Sequence, residues 1–145
     1  VENTLLALQL LCASHRQRFK IPVIGITGSN GKTVVKEWLY QLLHEDKNIV
    51  RSPKSYNSQV GVPLSVWQIK PEHELAIFEA GISQPGEMEK LQPIIQPTIG
   101  IFTNIGEAHS EGFDDIRQKV NEKLKLFSDV ETLIYCKDYD ISTIV

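Results

Sequence analysis

A chain of 145 residues is the size of one domain and is long enough to bury a hydrophobic core. Its 41% hydrophobic, 23% charged and 8% aromatic residues exclude a collagen-like, low-complexity or wholly disordered protein. A formal net charge of −3 argues against a dedicated nucleic-acid or anionic-membrane binder, while leaving room for a local basic pocket.

In chain order, residues 3–18 pattern as an amphipathic helix. Val23-Ile24-Gly25-Ile26-Thr27 reads as a short buried strand running directly into a glycine-rich turn. Residues 32–44 read as a helix whose apolar face is expected to carry Val35, Trp38, Leu39 and Leu42. Ile49 and Val50 suggest a second strand, and the loop 52–59 leads to a short helix from about Val62 to Gln68. Leu75-Ala76-Ile77-Phe78 and Thr98-Ile99-Gly100-Ile101-Phe102 are the clearest strands, with a helix around 86–95 between them. A last helix over about 114–128 precedes a strand from Thr132 to Cys136. Continuous apolar strands alternating with helices predict an α/β fold: a P-loop-type open, mainly parallel sheet with helices on both faces.

Cys12 and Cys136 lie far apart without CxxC spacing, so neither a disulfide framework nor zinc is expected, and a reducing compartment fits. The run Leu5 to Ala13 is broken by Gln9, too short to span a bilayer, and preceded by no basic segment. A cytoplasmic protein without membrane or nucleic-acid partners is the expectation. The opening at Val1 and the ending at Ile144-Val145 read as the limits of a domain cut from a longer chain.

The most informative segment is Gly25-Ile26-Thr27-Gly28-Ser29-Asn30-Gly31-Lys32-Thr33, between the first strand and a helix. Glycines let the backbone curl so that successive N–H groups face an anion, and the helix N-terminus adds partial positive charge. Gly28, Ser29, Asn30 and Gly31 would form the cradle, Lys32 would reach the β- and γ-phosphates, and the Thr33 hydroxyl would ligate Mg²⁺. The general Walker A pattern has glycine where Ile26 stands. An ordinary glycine-containing strand-to-helix turn is the plainer alternative.

Thr27 to Thr33 resembles the phosphate loop of the Mur ligase family, ATP-dependent amide-forming enzymes of peptidoglycan precursor synthesis, which also lacks that first glycine. Three further segments are similar to the family and fall in its order: Asn57 to Leu64, Glu79-Ala80-Gly81, and Thr103 to His109. Gly31 to Glu37, the Gly86-Glu87 step and Ala108 to Phe113 are most similar to members that join D-alanyl-D-alanine to UDP-N-acetylmuramoyl-tripeptide. Residues 1–20 then correspond to a linker helix, and 21–145 to the N-terminal portion of the central ATP-binding domain. The resemblance implies further N- and C-terminal domains in the same polypeptide. It also implies a reaction in which ATP converts a carboxylate to an acyl phosphate that an amine displaces. The isolated fragment is expected to be inactive as a ligase.

Glu79 falls at the carboxyl end of a strand, the edge where open α/β sheets bind ligands, and a carboxylate there suits Mg²⁺. An ordinary solvated glutamate is the alternative. His109, in a loop with Glu107 and Glu111, is by residue type alone a solvated loop histidine. The resemblance makes it catalytic, a ligand of a second metal. Asn104 would orient that loop or contact phosphate, and Asn57 suits a substrate contact because an amide both donates and accepts. Ser55, Ser58 and Gln59 depart from the family's pattern, where asparagines and an acidic residue are common. On the last helix, Ile116, Val120, Leu124 and Phe127 form one stripe, and Lys123 falls inside it while Lys125 points away. A lysine there either snorkels or is paired or modified. The resemblance implies the last, a lysine carbamylated by CO₂ that ligates or orients Mg²⁺. Two other functions stay open: another relative such as folylpolyglutamate synthase, and a nucleotide-binding switch without ligase activity.

Overall fold

The computed structural model describes residues 2–106 and 112–137. It contains α1 (Thr4–Arg16), β1 (Val23–Thr27), α2 (Lys32–Leu43), β2 (Ile49–Arg51) and α3 (Gly61–Val66). These are followed by β3 (Leu75–Glu79), α4 (Glu87–Ile95), β4 (Ile99–Phe102), α5 (Ile116–Leu124), a 3₁₀ turn (Lys125–Phe127) and β5 (Thr132–Tyr135). The five strands form one parallel sheet in the order β2-β3-β1-β4-β5. The expected α/β architecture is therefore present, with helices on both faces.

Side-chain alternation along the strands divides the core in two. On one face Val23, Ala76, Phe78 and Phe102 pack with Cys12 of α1, Val62 and Val66 of α3, Met88, Leu91 and Ile95 of α4, and Phe127. On the other face Ile24, Ile26, Leu75 and Ile77 meet Val35, Leu39 and Leu43 of α2. The same alternation places Glu79, two residues beyond Ile77, on the α2 face.

Local chemistry sets the helix ends. Asn3 caps α1 by accepting from the Leu6 N–H at 2.9 Å, and Asp115 caps α5 through the Gln118 N–H at 2.7 Å. Arg16, at the end of α1, donates to the Ile95 carbonyl at 2.9 Å and to the Gln96 carbonyl at 3.1 Å, tying α1 to the end of α4. Among the described residues no helix is long and apolar enough to cross a membrane.

The face expected for α2 is corrected. Val35 and Leu39 do pack on the sheet, but Trp38 is 63% and Leu42 75% exposed, and the buried place is taken by Lys36. A carboxylate beneath the helix draws the lysine inward, a force that apolar periodicity does not register.

Candidate nucleotide and metal site

The loops following β1, β3 and β4 converge at the carboxyl edge of the sheet, because those three strands are neighbours with β1 in the middle. The turn after β1 depends on Gly28, whose φ is +146°. A Cβ there would also fall 2.1 Å from Thr103 Oγ1, so glycine permits both the turn and the approach of the loop after β4.

That neighbouring loop holds the turn from behind. The Ser29 N–H donates to the Asn104 carbonyl and the Asn30 N–H to Asn104 Oδ1, both at 2.9 Å. Thr103 Oγ1 donates to the Asn30 carbonyl at 2.6 Å, and the Gly106 N–H donates to Ser29 Oγ at 3.0 Å. Asn104, a candidate substrate contact in the sequence, thus lies against the glycine loop itself.

Lysines gather at this turn. Lys32 Nζ donates to the carbonyls of Gly28 at 3.0 Å and Ser29 at 3.4 Å, and Lys123, only 3% exposed, donates to the same Gly28 carbonyl at 3.2 Å. Lys119, one turn before Lys123 on α5, is also buried and donates to the Gly106 carbonyl at 3.1 Å. Burial lowers the Lys32 pKa; Glu79 opposes that shift and Lys119 adds to it. Burial, with the charges of Lys32 and Lys119, brings Lys123 down to about 8. Mutual repulsion of buried ammonium groups is relieved by a bound anion, and phosphate is the anion such a glycine turn accommodates.

Glu79 is fully buried beside this cluster. Its Oε2 accepts from Thr33 Oγ1 at 3.0 Å and, at 3.5 Å, from Asn57 Nδ2. Its Oε1 lies 2.9 Å from Lys36 Nζ but accepts no aligned hydrogen bond, the one such buried side-chain atom among the described residues. A hydroxyl and a carboxylate oxygen side by side form an all-oxygen donor pair, which fits Mg²⁺ with its remaining positions filled by phosphate and water. No cluster of three His, Cys, Asp or Glu side chains able to hold a metal exists among the described residues. His109, Glu107 and Glu111 lie outside the described residues.

Asn57 is held where Gly81 leaves room: a Cβ on Gly81 would sit 2.9 Å from Asn57 Oδ1, and the Gly81 N–H donates to the Asn57 carbonyl at 2.7 Å. A cleft of about 460 Å³ opens between Lys32, Asn57, Gln59, Gly81 and Glu87. A larger one, about 730 Å³, lies beside β2 among Arg51, Lys54 and Trp67, and none of the glycine-loop residues lines it.

Sequence reasoning missed two buried lysines. Lys119 stands four residues before Lys123 on the same helix face, and Lys36 stands three after Thr33; both spacings were available as signals.

Fold and site together define a parallel α/β domain presenting a lysine-ringed glycine turn at the carboxyl edge of its sheet. Residues 26–145 match the Mur ligase middle domain, and the chain belongs to that family. It is 43% identical over 109 residues to the UDP-N-acetylmuramoyl-tripeptide–D-alanyl-D-alanine ligase of Synechocystis sp., covering 75% of this chain and 24% of that protein. The enzyme of that name from Treponema pallidum is 40% identical over 129 residues, covering 88% and 28%. Among solved structures, MurF from Acinetobacter baumannii superposes with a TM-score of 0.91 at 30% identity, over 97% of this chain and 32% of that one. MurF ligase from Thermotoga maritima, in complex with ADP, gives 0.87 at 29% identity, over 98% and 34%. A mutant folylpolyglutamate synthase from L. casei, at 14% identity and a TM-score of 0.63, shares the fold alone. The chain spans about a quarter of the length of the curated relatives it matches.

Proposed function

We propose that this chain is the ATP-binding portion of a ligase that joins D-alanyl-D-alanine to UDP-N-acetylmuramoyl-tripeptide in the cytoplasm. The observation carrying the reading is the meeting of Lys32 and Lys123 on one carbonyl of the glycine turn, beside the Thr33–Glu79 oxygen pair. In this reading residues 21–145 are the first part of a central domain, residues 1–20 its linker helix, and flanking domains bring the two peptide substrates.

The turn Gly28, Ser29, Asn30 and Gly31 would wrap the phosphates by its shape. The Ser29 and Asn30 N–H groups, expected from the sequence to face the anion, are given to Asn104 instead, so Lys32 and the α2 N-terminus would supply the contacts. Lys32 would bind the outer phosphates and neutralise the charge that grows as the γ-phosphoryl passes to the tripeptide carboxylate. Thr33 and Glu79, with His109 at a second position, would hold Mg²⁺, which supplies charge neutralisation and a template for the phosphates. Asn57, at the mouth of the cleft, would meet the substrate, while Asn104 would keep the turn in shape.

Lys123 has a second possibility built into its chemistry. With a pKa near 8, part of its population is the neutral amine at physiological pH, the form that adds to CO₂. The addition joins the amine nitrogen to the carbon of CO₂, releases one proton, and leaves a carbamate anion able to ligate Mg²⁺. An intact-mass measurement near neutral pH reports the adduct, and a free amine there in a nucleotide complex removes it.

The test of the main reading is calorimetric titration of ATP with and without Mg²⁺, with Lys32→Ala alongside. Binding that needs both Mg²⁺ and Lys32 is expected. A full-length protein that binds no ATP would sink the ligase assignment, and amide formation by the isolated chain would overturn its incompleteness.

A further inference from the structure

Lys36 is among the largest fully buried side chains of the described residues, and its ammonium is surrounded by oxygen. Glu79 Oε1 lies at 2.9 Å and Glu37 Oε1 at 3.2 Å, and the lysine donates to the Ser52 carbonyl at 2.7 Å and to the Lys54 carbonyl. The surroundings extend outward in alternating charge: Arg51 pairs with Glu37 at 3.1 Å and lies 3.4 Å from the Tyr40 ring centre. They extend inward too, since Ser52 Oγ accepts from the Glu79 N–H at 3.2 Å. Desolvating an ammonium this completely is costly, and the cost is offset only by charges and carbonyls held in place.

The consequence falls on Glu79. One oxygen faces Lys36 inside the protein; the other faces Thr33 and Asn57 at the site. We infer that Lys36 is a positioning residue that makes Glu79 a one-oxygen metal ligand and so tunes the site toward small octahedral cations. This rests on the metal role of Glu79 proposed above. Larger cations such as Ca²⁺ draw on carboxylates that bind through both oxygens, whereas Mg²⁺ takes one oxygen and keeps its waters. By holding the Ser52 and Lys54 carbonyls, Lys36 also ties that ligand to the start of the segment that carries Asn57.

The experiment is titration of ADP into the full-length protein with Mg²⁺ or with Ca²⁺, for the unmodified protein, Lys36→Met and Glu79→Gln. In folded Lys36→Met the ratio of Mg²⁺- to Ca²⁺-supported affinity is expected to fall on the order of tenfold, as the freed oxygen admits two-oxygen binding. An unchanged ratio in a folded variant overturns the inference. Glu79→Gln separates the two levels: if its binding keeps full metal dependence, the metal role itself is wrong, whatever Lys36 does. Should Lys36→Met fail to fold, the infrared difference spectrum of the unmodified protein with and without Mg²⁺ decides. The carboxylate band lost in Glu79→Gln should have the wide antisymmetric–symmetric separation of one-oxygen coordination; a narrow separation overturns the inference.

Discussion

The two faces of the sheet are built to different ends. Opposite α2, Phe78 and Phe102 sink into an apolar layer contributed by α1, α3, α4 and the turn after α5. Beneath α2, the apolar layer is smaller, and toward the carboxyl edge it gives way to Lys36 and Glu79. Adjacent residues of one strand, Phe78 and Glu79, therefore serve different masters: the first holds the sheet together and the second holds charge at its rim. A buried ion pair contributes little net stability against its desolvation, so the face carrying chemistry leans on the other for its rigidity.

The largest effect that would break this division comes from the apolar side. Phe78→Ala should cost about 3–5 kcal/mol of folding stability by leaving a cavity, read by chemical denaturation. Nucleotide affinity per folded molecule should stay unchanged. Lys32→Ala should do the reverse, weakening ATP binding on the order of 100-fold for loss of a charged phosphate contact, with no large fall in the denaturation midpoint. Asn104→Ala removes the acceptor of the Asn30 N–H and should loosen the turn, lowering ATP affinity about fivefold at near-normal stability. A large loss of stability in that variant would move Asn104 from the site to the scaffold.

The smallest effect sharpens the comparison through pH. Lys123 titrates near 8 when folded, below the ordinary lysine value of 10.5, so between these values the unfolded chain binds more protons. Stability without metal or nucleotide should therefore rise as pH climbs through that window, and the folded state pays its penalty below it. Lys123→Met should flatten the rise, leaving the part owed to Lys32, which shifts in the same direction, against the opposite contribution of the Cys12 thiol, which burial pushes up. Denaturation midpoints across the range supply the measurement, and an equal slope in the variant would contradict the burial described.

What the sequence disclosed follows the same boundary. The strands β1, β3 and β4 were legible because strands covered on both faces are nearly continuous in Ile, Val, Leu and Phe. The glycine turn was legible because Gly28 and Gly31 hold backbone conformations few other residues adopt. Lys123 was legible as a cation inside an apolar stripe, and it is buried. The inward turn of α2 was not legible, since Lys36 is selected by Glu79, a partner brought near only by strand pairing. The same holds for Asn104, whose target is the loop on the neighbouring strand.

Strand β1 is first in sequence among the strands yet sits third in the sheet, between β3 and β4. During synthesis it leaves the ribosome with both edges bare, and its partners, Leu75–Glu79 and Ile99–Phe102, follow only after long intervening segments. Closing those loops costs chain entropy before any pairing rewards it, so assembly is governed by distant contacts. The glycine turn at the end of β1 thus takes its final shape late, when the loop after β4 arrives to receive the N–H groups of Ser29 and Asn30.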